Sequence, residues 1–142
     1  MPVGNAPVGS YQANGNIHPS VAVKLDTSAS PQGGYVLEAG SGDKPIGISQ
    51  EWQHNPPYPA LQDGYAAVAT ESIRVYGQGE YCWWQTGNTA FNAGTYLKPT
   101  TGGLAIPVTA VTDFYIAIAQ ESSPGDSVTL VRVLVTYPAV HT

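Results

Sequence analysis

The hydrophobic positions fall in short runs, each closed by glycine or proline. Apolar stretches at 46–48, 65–68, 73–76, 81–84 and 96–97 alternate with turns at Gly64, Gly77, Gly79, Gly87, Gly94, Gly102 and Gly103. Runs of this length between turn residues predict strands. Further strands are predicted at 21–25, 35–39 and 46–50. Near the end, 114–120 and 127–137 flank the turn signal Ser122-Ser123-Pro124-Gly125-Asp126 and predict a long antiparallel hairpin. In the second arm Leu130 and Leu134 face one way, and Val131, Val133 and Val135 the other. Apolar side chains on both faces predict a central strand.

Other stretches lack such runs. Residues 52–62 hold Pro56, Pro57 and Pro59 and predict a surface loop. Residues 1–20 carry Pro2, Pro7 and Pro19 with few apolar side chains and predict an extended arm. No window has helical periodicity. The expected architecture is all-β: a compact antiparallel β-barrel or β-sandwich over 21–142, with an extended N-terminal arm over 1–20 and little or no helix.

Composition narrows the function. The chain has 142 residues, enough for one domain with its own core. Hydrophobic residues make up 42%, so the glycines and prolines read as turns rather than disorder. Charged residues are 11%, against roughly 25% in ordinary soluble domains. A surface so poor in ions is cheap to desolvate. It suits either a Ser/Thr-rich β-protein or one whose surface is buried against neighbours. Net charge is −5 and the five basic residues are scattered. Direct nucleic-acid binding is not expected, because phosphate neutralisation needs clustered cations. No apolar stretch approaches the ~18 residues of a membrane span. The first residues lack the basic and apolar regions of a secretory signal. The single cysteine, Cys82, excludes an internal disulfide framework, and folding in a cytoplasm is expected.

Candidate chemistry is sparse. Asp26-Thr27-Ser28-Ala29 after an apolar run matches the active-site phrase of dimeric, retroviral-type aspartic proteases, in which two carboxylates share a proton. The second part of that pattern is missing, so the protease is the lesser alternative and Asp26 reads as a turn residue that ends a strand. Gly125-Asp126-Ser127 reads as turn chemistry rather than an esterase block. Gly77-Gln78-Gly79 reads as a hairpin turn, lacking the third glycine of a dinucleotide loop. His18, His54 and His141 have no metal-ligand spacing. No cofactor or metal site is expected.

The aromatics carry more information. In a strand over 81–85, Tyr81 and Trp83 face one way, and Cys82 and Trp84 the other. Both faces are apolar, so one enters the core and the other meets a loop, a subunit or a ligand. Trp52, Tyr58, Trp83 and Trp84 suit an interface centre, a sugar-stacking platform or the protomer's own core. With the arm, the candidate capsid or subunit interface comprises Pro2, Val3, Pro7, Val8, Tyr11, Ile17, Trp52, Tyr58, Trp83 and Trp84.

The order of elements resembles the small capsid decoration, or cement, proteins of tailed bacteriophages. The likeness rests on Ile46-Gly47-Ile48, the block from Gly64 to Ala69, Ser72 to Gly77, Gly94 to Pro99, and Gly102-Gly103-Leu104. It spans roughly residues 17–137 as a pattern of strands and glycines. The resemblance implies a β-rich homotrimer on the outer capsid surface of the virion, near local three-fold axes. It would bind the major capsid protein and hold the shell against internal pressure, with the arm reaching the shell or the next subunit. It implies no enzymatic activity. The alternative is a carbohydrate-binding β-sandwich, such as a head-fibre or receptor-binding module.

Overall fold

The computed structural model describes residues 10–28, 34–53, 64–110 and 112–140. Among the described residues ten strands form two sheets that share one packed unit. The first five are β1 (Ser10–Ala13), β2 (Ala22–Leu25), β3 (Tyr35–Glu38), β4 (Gly47–Ser49) and β5 (Ser72–Tyr76). They close into a barrel in the order β1-β3-β2-β4-β5. The other five are β6 (Tyr81–Gln85), β7 (Tyr96–Pro99), β8 (Ala105–Pro107), β9 (Phe114–Ala119) and β10 (Leu130–Val140). Their order is β6-β10-β9-β7-β8. The expected all-β class holds, and the helical content among the described residues is a 3-10 turn at Thr101–Gly103.

Two expectations change. The pairing is not wholly antiparallel, because β1 runs parallel to β3, with Gln12 opposite Tyr35. Residues 10–20, expected in the arm, belong to the barrel, and residues 1–9 lie outside the described residues. β1 closes the barrel against β3 and β5. Ile17 bridges Ala67 and is fully buried. Ser49 Oγ donates to the His18 carbonyl at 2.7 Å and accepts from the Val21 N–H at 3.0 Å, fixing the following turn. Deleting residues 10–13 would therefore remove a barrel strand.

The predicted C-terminal pair forms as an antiparallel ladder, with Val133 opposite Ala119 and Leu134 opposite Ile118. β10 lies between β6 and β9, the central position that its two apolar faces predicted. Residues 65–68 make only a bridge, and β8 forms where no apolar run predicts a strand. Gly77-Gln78-Gly79 does not close a hairpin, since β5 pairs with β1 and β4 while β6 pairs with β10. It is the turn that carries the chain from barrel to second sheet. Gly79 there takes φ +87°, which glycine tolerates without strain.

Two apolar clusters fill the interior. One lies inside the barrel around Ile17, Val21, Val23, Val36 and Ile73. The other joins the sheets, packing Ala22 and Ile48 of the barrel against Trp84, Leu97, Val131 and Val133. The Trp84 indole N–H donates to the Gly103 carbonyl at 2.7 Å. The Gln85 side-chain amide donates to the Pro19 carbonyl at 2.7 Å. Burial at this joint, more than any single bond, holds the two sheets together.

The glycine of Ile46-Gly47-Ile48 has a packing reason. A Cβ on Gly47 would lie 2.2 Å from the Tyr76 carbonyl oxygen and 2.6 Å from Val75 Cγ1. Alanine there must push β4 off β5. Gly47→Ala is expected to destabilise by ~3 kcal/mol, at the upper end of overpacking costs. Gly77→Ala, with open space around its Cβ, is the near-neutral control. Urea unfolding midpoints of the two variants check this.

An acid-labile clasp lies at the far edge. Asp113 accepts from Lys98 Nζ at 2.7 Å, the Ala110 N–H at 2.9 Å and the Thr109 N–H at 3.1 Å. The lysine bond first, then the two amides, hold its carboxyl down to about 2 from an ordinary 3.8. A depressed carboxylate stabilises the fold above its ordinary pKa, and that contribution fades as pH falls from ~4 toward ~2. Asp113→Asn is expected to be less stable than wild type near neutrality and to converge with it in that acid window. Urea midpoints measured across the window read this directly.

Candidate interaction surface

The strand register of the second sheet builds one continuous apolar row. Tyr81 of β6 lies opposite Leu134 of β10. Leu134 lies opposite Ile118 of β9, and Ile118 opposite Tyr96 of β7. Directly paired residues share a face. Val131, Val133 and Val135 point into the core, so Leu134 and its row point outward. Tyr81 is 53% exposed and Tyr96 41%. The Tyr115 ring extends the row, its centroid 4.6 Å from that of Tyr96.

A second row lies beside it. Trp83, 40% exposed, is opposite Arg132. The Arg132 guanidinium sits over the Tyr81 ring, 5.1 Å from its centroid. That stacking orients a cation among aromatics and covers part of the ring. Leu130, also exposed, lies opposite Gln85. Tyr, Trp and Arg are the side chains enriched where interfaces concentrate binding energy.

The edge of β6 is tied to the barrel. Glu51 Oε1 accepts the Trp83 N–H at 3.2 Å, and the Ser20 carbonyl accepts the Gln85 N–H at 2.8 Å. These bonds occupy backbone groups that an edge strand would otherwise expose. They also bring the backbone beside exposed Trp52 to the rim of this face. A cleft of about 270 Å³ opens there, lined by Glu51, Gln85, Thr129 and Leu130.

The candidate residues separate on this geometry. Trp83 and Trp52 are at the surface. Trp84 is 0% exposed and Ile17 is equally buried, so neither side chain can line an interface. The cause for Trp84 is strand alternation, which turns it inward toward Val131. Tyr11 is half-buried and packs against the barrel core. Pro2, Val3, Pro7, Val8 and Tyr58 lie outside the described residues. Tyr96, Ile118, Leu130 and Leu134, absent from the expected interface, share this face with Tyr81 and Trp83. Alternation gave their faces, but only the register joins them into a row.

The other motifs have local explanations. Asp26 is buried at the end of β2, and its Oδ1 accepts the Ser28 N–H at 2.9 Å and Ser28 Oγ–H at 2.6 Å. That is the side-chain bond of an Asx turn. Gly125 has φ +77°, and a Cβ there would lie 2.3 Å from the Ala90 N. His18 meets Glu38 at 2.7 Å. Burial pushes the Cys82 thiol up to about 12, which removes the thiolate needed for reactivity. Among the described residues no group of three His, Cys, Asp or Glu is placed to hold a metal.

No protein-family model and no curated protein matches the chain. Among solved structures, the N-terminal base of the head fibre protein gp8.5 of bacteriophage phi29 is similar to it. The identity is 16% and the TM-score 0.47, over 93% of this chain and 96% of that one.

Proposed function

We propose that this chain is a virion structural protein. It decorates the outside of a phage capsid as a homotrimer near local three-fold axes, binds the major capsid protein, and secures the shell against internal pressure. The observation that supports this best is the outward apolar row Tyr81–Leu134–Ile118–Tyr96. A continuous row of this kind on a sheet face marks an interaction surface. Repetition over a symmetric shell then converts modest contacts into a large summed attachment. The resemblance of the strand-and-glycine order to cement proteins points the same way.

A second reading has its own observation. Exposed Trp83 stands near the Glu51–Gln85 cleft, an arrangement that suits stacking a sugar ring and binding its hydroxyls. One experiment separates the two. Purified protein is mixed with expanded heads that lack it and sedimented, and in parallel applied to a glycan array. Saturable co-sedimentation in multiples of three per local three-fold axis is expected. Glycan binding without sedimentation would replace the decoration reading with the carbohydrate one.

A further inference from the structure

The outward face of the second sheet gathers the exposed apolar side chains. Nine large hydrophobic side chains are open to solvent among the described residues, and Tyr81, Trp83, Leu130 and Tyr96 share this one face. A concentration of that kind marks a surface that a partner covers.

The charges on the face decide which partner. Arg132 lies in the middle of it, with its guanidinium turned toward β6 over the Tyr81 ring. Glu121 lies just beyond β9, on the other side of β10. Its Oε1 accepts the Arg132 N–H at 2.8 Å, which holds the carboxylate close to the backbone there. The guanidinium and the carboxylate therefore lean opposite ways. Both side chains are exposed, and neither joins an ion pair among the described residues. Lys98 of β7, by contrast, is matched by Asp113 at 2.7 Å.

A face with a cation on its β6 side and a carboxylate on its β9 side complements a second copy of itself. A partner surface of one strong charge would leave one of the two ions unmatched, and burying an unmatched ion is costly. The planar guanidinium also fixes orientation, because it can bind a carboxylate through two parallel bonds.

We propose that copies of this chain associate head-to-tail through this face, with Arg132 of one copy paired to Glu121 of the next. The Tyr81–Trp83 side of one copy then packs on the Ile118–Tyr96 side of its neighbour. This rests on the homotrimer of the shell-binding reading and adds the contact that builds it. Because the two sides differ, the contact is heterologous, and a heterologous contact that closes gives a ring.

Charge exchange in the purified full chain tests this without heads. Arg132→Glu and Glu121→Arg are each expected to weaken self-association about tenfold or more by sedimentation equilibrium. The double variant restores the pair with its signs exchanged and is expected to return to within about threefold of wild type. Both side chains are exposed, so urea midpoints should stay near the wild-type value. Arg132→Gln, which adds no repulsion from Glu121, separates loss of pairing from loss of fold. Undiminished association of either single variant, or a double variant no better than the singles, overturns the pairing. A limiting species of two copies overturns the head-to-tail arrangement. Protein that associates as expected but does not co-sediment with expanded heads supports the interface and overturns the shell-binding reading alone.

Discussion

Trp84→Ala is expected to cost ~4 kcal/mol of stability, and Trp83→Ala less than ~1 kcal/mol. The two residues are neighbours in β6, so composition and local sequence are the same for both. What differs is the side of the sheet. Trp84 is wholly inside, packed in the cluster that joins the barrel to the second sheet. Removing it leaves a large cavity at the joint. It also leaves the Gly103 carbonyl without its indole partner, which adds ~1 kcal/mol if the oxygen stays dry. A Cβ on Gly103 would lie only 2.8 Å from the Ala22 carbonyl oxygen, so the chain at this carbonyl packs closely against β2. Domains of this size have about 5–15 kcal/mol in total, so the Trp84 variant should be close to unfolding. Urea titrations followed by far-UV circular dichroism measure the contrast. Equal losses at both positions would mean that Trp83 is also structural and that the outer face is not a free surface.

The larger functional effect is expected from Trp83→Glu. Its carboxylate would stand opposite Arg132 on the neighbouring strand, so the isolated protomer gains a cross-strand ion pair and keeps its fold. In an assembly that buries this face, the same carboxylate must be desolvated beside Tyr81 and Leu134. A buried charge without a fully built partner shell costs several kcal/mol. Self-association is therefore expected to weaken by about a hundredfold or more, equivalent to ~3 kcal/mol. Sedimentation velocity of the variant reads its mass distribution, and its urea midpoint shows whether the fold survived. An unchanged midpoint with unchanged association would remove Trp83 from the interface.

The legibility of the chain follows from the range of its interactions. Strands with local punctuation were readable. β5 and β6 form where the apolar runs and glycines predicted, and the β9–β10 pair follows from its turn and alternation. β1 was not readable. Its four residues carry little apolar signal, and they become a strand only by pairing with β3 and β5, whose partner residues lie 23 to 64 positions away. The buried Ile17 was hidden for the same reason, in a segment whose prolines and glycines suggest an arm. β8 is three residues long and depends on β7 for its pairing.

The surface was legible by face but not by register. Alternation set Tyr81 and Trp83 apart from Cys82 and Trp84 without saying which pair turned inward. The inward choice is made by the opposite strand, where Val131 and Val133 meet Trp84 and Cys82. Likewise the outward row needs four strands in one register, and two of its members, Tyr96 and Tyr81, are joined only through β9 and β10. A groove of about 850 Å³ between the barrel and the end of β10 depends on the packing of the barrel against a strand more than ninety residues later in the chain.

The central claim is that the outward row of the second sheet is buried between copies of this chain. The native mass of the wild-type protein in solution tests it most directly, measured over a concentration series by sedimentation equilibrium. A species of three times 14.9 kDa that dissociates when Trp83 becomes glutamate is the expected result. A single species of 14.9 kDa at the highest attainable concentration would contradict it.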